Sequence, residues 1–132
     1  MIVLDASAVV ELLLRSRKGQ QVADELAGPD NVVHVPHLLA VEVTQALRRL
    51  NQTGILSSER GAQAVADLAD LAGVRHEHEP LLTRVWQLRD NLTAYDAFYV
   101  ALAEALDAPL LTLDTKVAHA PGHDASVTLL NQ

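Results

Sequence analysis

MIVLD (1–5), followed at once by SAVVELLLRSRKGQQVADELAG (7–28), sets the architecture. The first piece is a short apolar run that stops on a carboxylate, the pattern of a buried strand. The second predicts two helices, with Gly28-Pro29 as their stop. The alternation then repeats. NVVHVP (31–36) reads as a second strand, and PHLLAVEVTQALRRLN (36–51) as a helix with Pro36 near its first turn. SSERGAQAVADLADLAG (57–73) reads as a helix capped by Ser57 or Ser58 and stopped by Gly73. VRHEHE (74–79) predicts a third strand and PLLTRVWQLRDN (80–91) a helix opened by Pro80. In LTAYDAFYVALAEAL (92–106), Tyr95, Phe98, Tyr99, Leu102 and Leu106 recur at the helical packing period. APLLTLD (108–114) is another strand ending in Asp, and SVTLLN (126–131) the last strand. Near-continuous apolar strands alternating with helices predict an α/β fold whose parallel sheet is covered on both faces. Such sheets bind ligands at the carboxyl ends of their strands, near the switch in strand order. Asp5 and Asp114 fall at two of those ends.

The chain has 132 residues, which predicts one domain over 1–132. At 49% hydrophobic and 3% aromatic, its core is built from Leu, Val, Ile and Ala. With no cysteine, disulfides, thiolate metal sites and a cysteine nucleophile are excluded. Neither a secretion leader nor a membrane-length apolar run is legible, which predicts a soluble cytoplasmic protein. The net charge of −7 argues by itself against nucleic acid, unless a divalent cation stands between carboxylate and phosphate.

Asp5, Glu42, Asp96 and Asp114 lie in apolar surroundings, whereas most other acids fall in polar stretches. Asp96 also suits a helix cap, because Thr93 precedes it by three residues. If the four converge, each pair about 5 Å apart repels by about 3 kcal/mol at an effective dielectric of about 20. Summed over the pairs, this exceeds the stability of a small domain. Such a cluster calls for a cation, or holds protons without one. An all-oxygen donor set suits Mg²⁺, with Mn²⁺ as substitute, and that ion among carboxylates is apparatus for phosphoryl chemistry.

MIVLDASAVVELL, Glu42 in LLAVEVTQAL, LTAYDAFYVALAEAL and LLTLDTKVA together resemble PIN-domain proteins, specifically the VapC-type toxins of toxin–antitoxin pairs, from end to end. The resemblance implies a three-layer α/β/α sandwich with a mainly parallel central sheet. It implies an Mg²⁺-dependent endoribonuclease whose catalytic, metal-holding pocket is Asp5, Glu42, Asp96 and Asp114. Ser7 and Thr93 match positions that often carry a hydroxyl near that pocket, and Thr112 is a further candidate. It also implies a homodimer, a VapB-type antitoxin as partner, and transfer or ribosomal RNA as substrate. A further acid that many relatives carry after the Asp114 position is replaced here by Thr115, Lys116, Val117 and Ala118. This points to one tightly bound Mg²⁺, with a second recruited by substrate.

Arg15, Arg17, Lys18, Arg48, Arg49 and Lys116 are candidates for RNA-backbone contacts, set against ordinary helix-end cations. His76 and His78 share spacing i, i+2 and read as a solvated strand face; the other histidines receive no role. Trp86, Val85 and Leu82 read as core or dimer surface. Two other functions compete. An aspartyl-phosphate hydrolase wants an Asp two residues after Asp5, where Ser7 stands. A catalytically silent partner-binding protein of the same fold is the second.

Overall fold

A computed structural model describes residues 1–130. Asn131, the last residue of the final predicted strand, lies outside them. The strands are β1 (Ile2–Leu4), β2 (Val33–Pro36), β3 (Val74–His76), β4 (Leu110–Thr112) and β5 (Val127–Leu129). They form one sheet in the order β3-β2-β1-β4-β5, every neighbouring pair parallel. Strand order reverses beside β1, so the crevice beyond the carboxyl ends of β1 and β4 is the switch point. Helices α1 (Ala6–Leu14), α2 (Arg17–Glu25), α3 (Leu38–Gln52) and α4 (Ser58–Ala69) connect β1 to β2 to β3. Helices α5 (Leu82–Gln87) and α6 (Ala94–Leu106) lead from β3 back to β4, and α7 (Thr115–His119) joins β4 to β5. Right-handed crossovers in opposite directions along the sheet place these two groups on opposite faces. The result is the three-layer sandwich.

The layers meet in a core of Val3, Leu4, Val9, Val35, Val43, Val100, Leu110 and their neighbours, all buried. The α1–α2 corner is unusually close. A Cβ on Gly19 would lie 2.0 Å from the Glu11 carbonyl oxygen, so only glycine lets α2 fold back onto α1.

Several elements differ from the sequence reading. Pro36 ends β2 instead of opening α3. The α3 N-terminus has no capping side chain of its own at His37; its Leu38 N–H donates to His78 Nε2 at 2.9 Å. His78 lies beyond β3, so it does not share a strand face with His76. His76 instead meets the buried His34 across the sheet, with Nε2 and Nδ1 2.8 Å apart. Residues 80–91 give a 3₁₀ turn at Glu79–Leu81 and only six residues of α5. The side chain of Arg84 on α5 pairs with Glu104 on α6 at 2.7 Å, and Glu104 accepts from the Asp124 N–H. These contacts tie the approach to β5 onto the helices. Trp86 is 67% exposed under the Arg89 guanidinium, and Leu82 is also exposed, so neither belongs to the core; Val85 does. On α6 the buried set is Ala97 and Tyr99–Ala103, wider than the expected stripe, and Tyr95 faces solvent. Between the sheet and α5, α6 has little surface left for water, so burial spreads beyond a single helical face.

Candidate functional site

Asp5 follows β1 directly and caps α1, its carboxylate accepting from the Ala8 N–H at 3.1 Å. Placing a capping acid at the end of a central strand brings it to the carboxyl edge of the sheet. The Ser7 hydroxyl donates to Asp5 Oδ1 at 2.6 Å, and the Thr112 hydroxyl donates to Asp5 Oδ2. Each hydroxyl is used twice. Ser7 Oγ accepts from the Leu113 N–H at 3.0 Å, and Thr112 Oγ1 accepts from the Asp114 N–H at 2.9 Å. One buried threonine thus ties the end of β1 to the turn after β4. Asp114 caps α7 through the Lys116 N–H at 2.9 Å. Burial raises the Asp5 pKa; the Ser7, Thr112 and Ala8 hydrogen bonds oppose the rise, and the Asp114 charge adds to it.

Glu42 and Asp96 come from helices on the two faces of the sheet. Glu42 lies in α3, half-buried, and accepts a hydrogen bond from the Tyr99 hydroxyl at 2.6 Å. Its pKa is raised, first by burial and then by the Asp5 charge, with Tyr99 opposing. Asp96 stands in the first turn of α6, where Thr93 Oγ1 caps its N–H at 3.2 Å. Its pKa is pushed up to about 6 by burial and then by the charges of Asp114, Asp5 and Glu42. Four acids distant in sequence therefore sense one another across the switch point. Among the described residues, no three His, Asp or Glu side chains are drawn tightly enough together to grip an ion unaided.

The hydroxyl candidates separate. Ser7 and Thr112 hold Asp5 directly, while Thr93 is exposed and acts as a helix cap. Tyr99, read from the sequence as a core aromatic, is the polar contact missed; nothing in the helical spacing distinguishes it from Phe98. The basic candidates separate as well. Lys18 and Arg49 line an apolar groove of about 460 Å³ with Ala6, Ser7, Val10 and Leu113, directly beside Asp5. Arg49 also borders the neighbouring hollow of Leu38, Glu42 and Tyr95. Arg17 and Lys18 open α2, where the helix dipole disfavours cations, so the helix-end explanation fails for them. Arg15 closes α1 in the left-handed region, Arg48 borders a different hollow near Ser58, and Lys116 is exposed on α7.

The PIN-domain pattern matches residues 2–122. Ribonuclease VapC1 of Mycobacterium tuberculosis is 43% identical over 129 residues, covering 97% of this chain and 96% of the relative. Ribonuclease VapC12 of the same species is 41% identical over 130 residues, covering 98% and 99%. Two solved structures share the fold. PAE2754 from Pyrobaculum aerophilum has a TM-score of 0.72 at 21% identity, covering 96% of this chain and 81% of that one. VapBC2 from Rickettsia felis, bound to a DNA fragment from their promoter, has a TM-score of 0.72 at 13% identity, covering 99% and 100%. With its five parallel strands, its acids at the switch point and this likeness along its length, the chain belongs to the PIN-domain family, among the VapC ribonucleases.

Proposed function

We propose that the protein is an Mg²⁺-dependent endoribonuclease toxin of a toxin–antitoxin pair, with Asp5, Glu42, Asp96 and Asp114 as its catalytic pocket. One observation carries this reading: Asp5 and Asp114 at the ends of β1 and β4, with Glu42 on α3 and Asp96 at the start of α6, face the crevice where open α/β sheets bind ligands. The donor set is all oxygen, which suits a hard divalent cation, with Mn²⁺ as substitute. Mg²⁺ keeps several waters and takes only one or two carboxylates directly, so it does not require the close three-acid group that is absent among the described residues. When bound, Mg²⁺ supplies polarisation of the phosphate and a water acidic enough to attack it.

The chain's own contribution is placement. Three donors hold the Asp5 carboxylate in a single orientation before any ligand arrives. Thr112 fixes the distance between the β1 and β4 ends. Lys18 and Arg49 flank the groove leading away from Asp5 and meet the RNA backbone there. The apolar floor of that groove, Ala6, Val10, Ala46 and Leu50, suits a segment of a VapB-type antitoxin. Structured RNA such as transfer or ribosomal RNA is the substrate, the cytoplasm the compartment and a homodimer the working unit. Among the described residues no helix is long and apolar enough to cross a membrane.

The test is cleavage of total cellular RNA by the purified chain with Mg²⁺, with EDTA, and by Asp96→Asn. Discrete fragments that need Mg²⁺ and Asp96 establish the nuclease. No cleavage by folded, antitoxin-free protein would replace it with the partner-binding reading.

A further inference from the structure

Tyr99 is 1% exposed, and its hydroxyl meets Glu42 Oε1 at 2.6 Å although 57 residues separate them. Its ring belongs to the buried core, on a helix packed against β1 and β2, while its hydroxyl reaches the Glu42 carboxylate. A phenol hydroxyl is a neutral donor at ordinary pH, so the carboxylate accepts from it. Glu42 by itself is a flexible side chain on an amphipathic helix, with several rotatable bonds to immobilise before its carboxylate can hold anything. Tyr99 removes that freedom. It occupies one lone pair of Oε1, and among the described residues Oε2 has no hydrogen-bond partner.

A second feature gives the contact its purpose. Tyr99 follows Asp96 by three residues on α6, so the two side chains are neighbours on one helical face. The bond from Tyr99 therefore ties the α3 carboxylate to the helix that carries the other half-buried acid. The strand-end acids are spaced by Thr112; the helix-borne acids are spaced by Tyr99.

We infer that Tyr99 is a positioning residue of the site, orienting the Glu42 carboxylate and setting its distance from Asp96 for a divalent cation. This rests on the reading of the four acids as a cation pocket. Tyr99→Phe removes one oxygen and keeps the ring, so the core is preserved. Calorimetric titration of the RNA-free protein with Mn²⁺, and the Mg²⁺ dependence of RNA cleavage, are the readouts. The expected result is about tenfold weaker Mn²⁺ binding and a matching rise in the Mg²⁺ needed for half-maximal cleavage, from loss of one hydrogen bond to a charged group. Glu42→Asp, which draws the carboxylate back from Tyr99, should weaken Mn²⁺ binding similarly, and adding Tyr99→Phe to it should change nothing further. If Tyr99→Phe lowers thermal stability but leaves Mn²⁺ affinity unchanged in a wild type that binds the ion, the positioning role is overturned and the cation pocket stands. If wild type binds no divalent cation, both fall together.

Discussion

Asp5 carries three hydrogen-bond donors on its carboxylate and is 5% exposed, whereas Glu42 has one donor and is half-buried. The first belongs to a wall made of strand ends, the second to a wall made of helix faces. At the strand wall, Ser7 and Thr112 each act as donor and acceptor, so the backbone of the β4 turn and the Asp5 side chain form one network. At the helix wall, Glu42 hangs on Tyr99 and Asp96 sits over the Thr93 cap. Packed strands leave no room for an acid to move, and their acid must be satisfied in place. The helix-borne acids sit at a half-open edge with fewer donors, and burial first, then the neighbouring carboxylates, raises their pKa values. One pocket thus combines a half fixed by three donors on one carboxylate with a half whose acids are less fully bonded and whose pKa values are raised.

The largest expected effects test whether both walls serve one reaction. Asp5→Asn, Glu42→Gln and Asp96→Asn should each lower RNA cleavage by at least about a hundredfold, the scale for removing a charge-stabilising group from an active site. Wild-type cleavage by Asp96→Asn would detach the helix wall from the chemistry. Next comes stability. Thr112→Val strands the Asp114 N–H and removes a donor from Asp5 in a fully buried setting, and should cost about 2 kcal/mol in denaturant melts. Thr93→Val on the exposed cap should cost only about 1 kcal/mol. Equal losses would erase the difference between the walls.

A smaller effect concerns pH. Asp96 titrates near 6 when folded against 3.8 ordinarily, so its contribution to stability is full below 3.8 and is lost as pH rises through 6. Metal-free wild type should therefore lose stability relative to Asp96→Asn between pH 4 and 7, and Mg²⁺ at pH 7 should restore more stability to wild type. The smallest effect has the opposite sign and lies at the β2–β3 edge. Burial and then His76 lower the His34 pKa below 6.5, so its contribution is present above 6.5 and fades as pH falls. His34→Gln should flatten that slope below pH 6.5 in thermal melts without changing the slope due to Asp96.

The strand-end acids were legible because an apolar run that stops on Asp leaves few other places for the carboxylate. MIVLD and APLLTLD shortened to three-residue strands, but each acid stayed at its expected edge. The α3 and α6 acids were legible as interruptions of apolar helices, though not their partners. Tyr99 and Phe98 share the same periodic pattern in sequence, yet only Tyr99 points a hydroxyl at Glu42. The histidines misled for a similar reason. Spacing put His76 and His78 on one face, but the strand ended at His76, and their partners, His34 and the Leu38 N–H, come from β2 and α3.

The sequence by itself determined the class of fold, the order of its elements and the four acids, because local periodicity and burial patterns act over a few residues. Only the tertiary structure decided that β4 lies beside β1, and with it that Thr112 binds Asp5 and that Lys18 and Arg49 flank the same groove. It alone decided which aromatic of α6 reaches α3. Those pairings depend on strand order and helix rotation, set by the packing of the whole core, and no short stretch of chain encodes them.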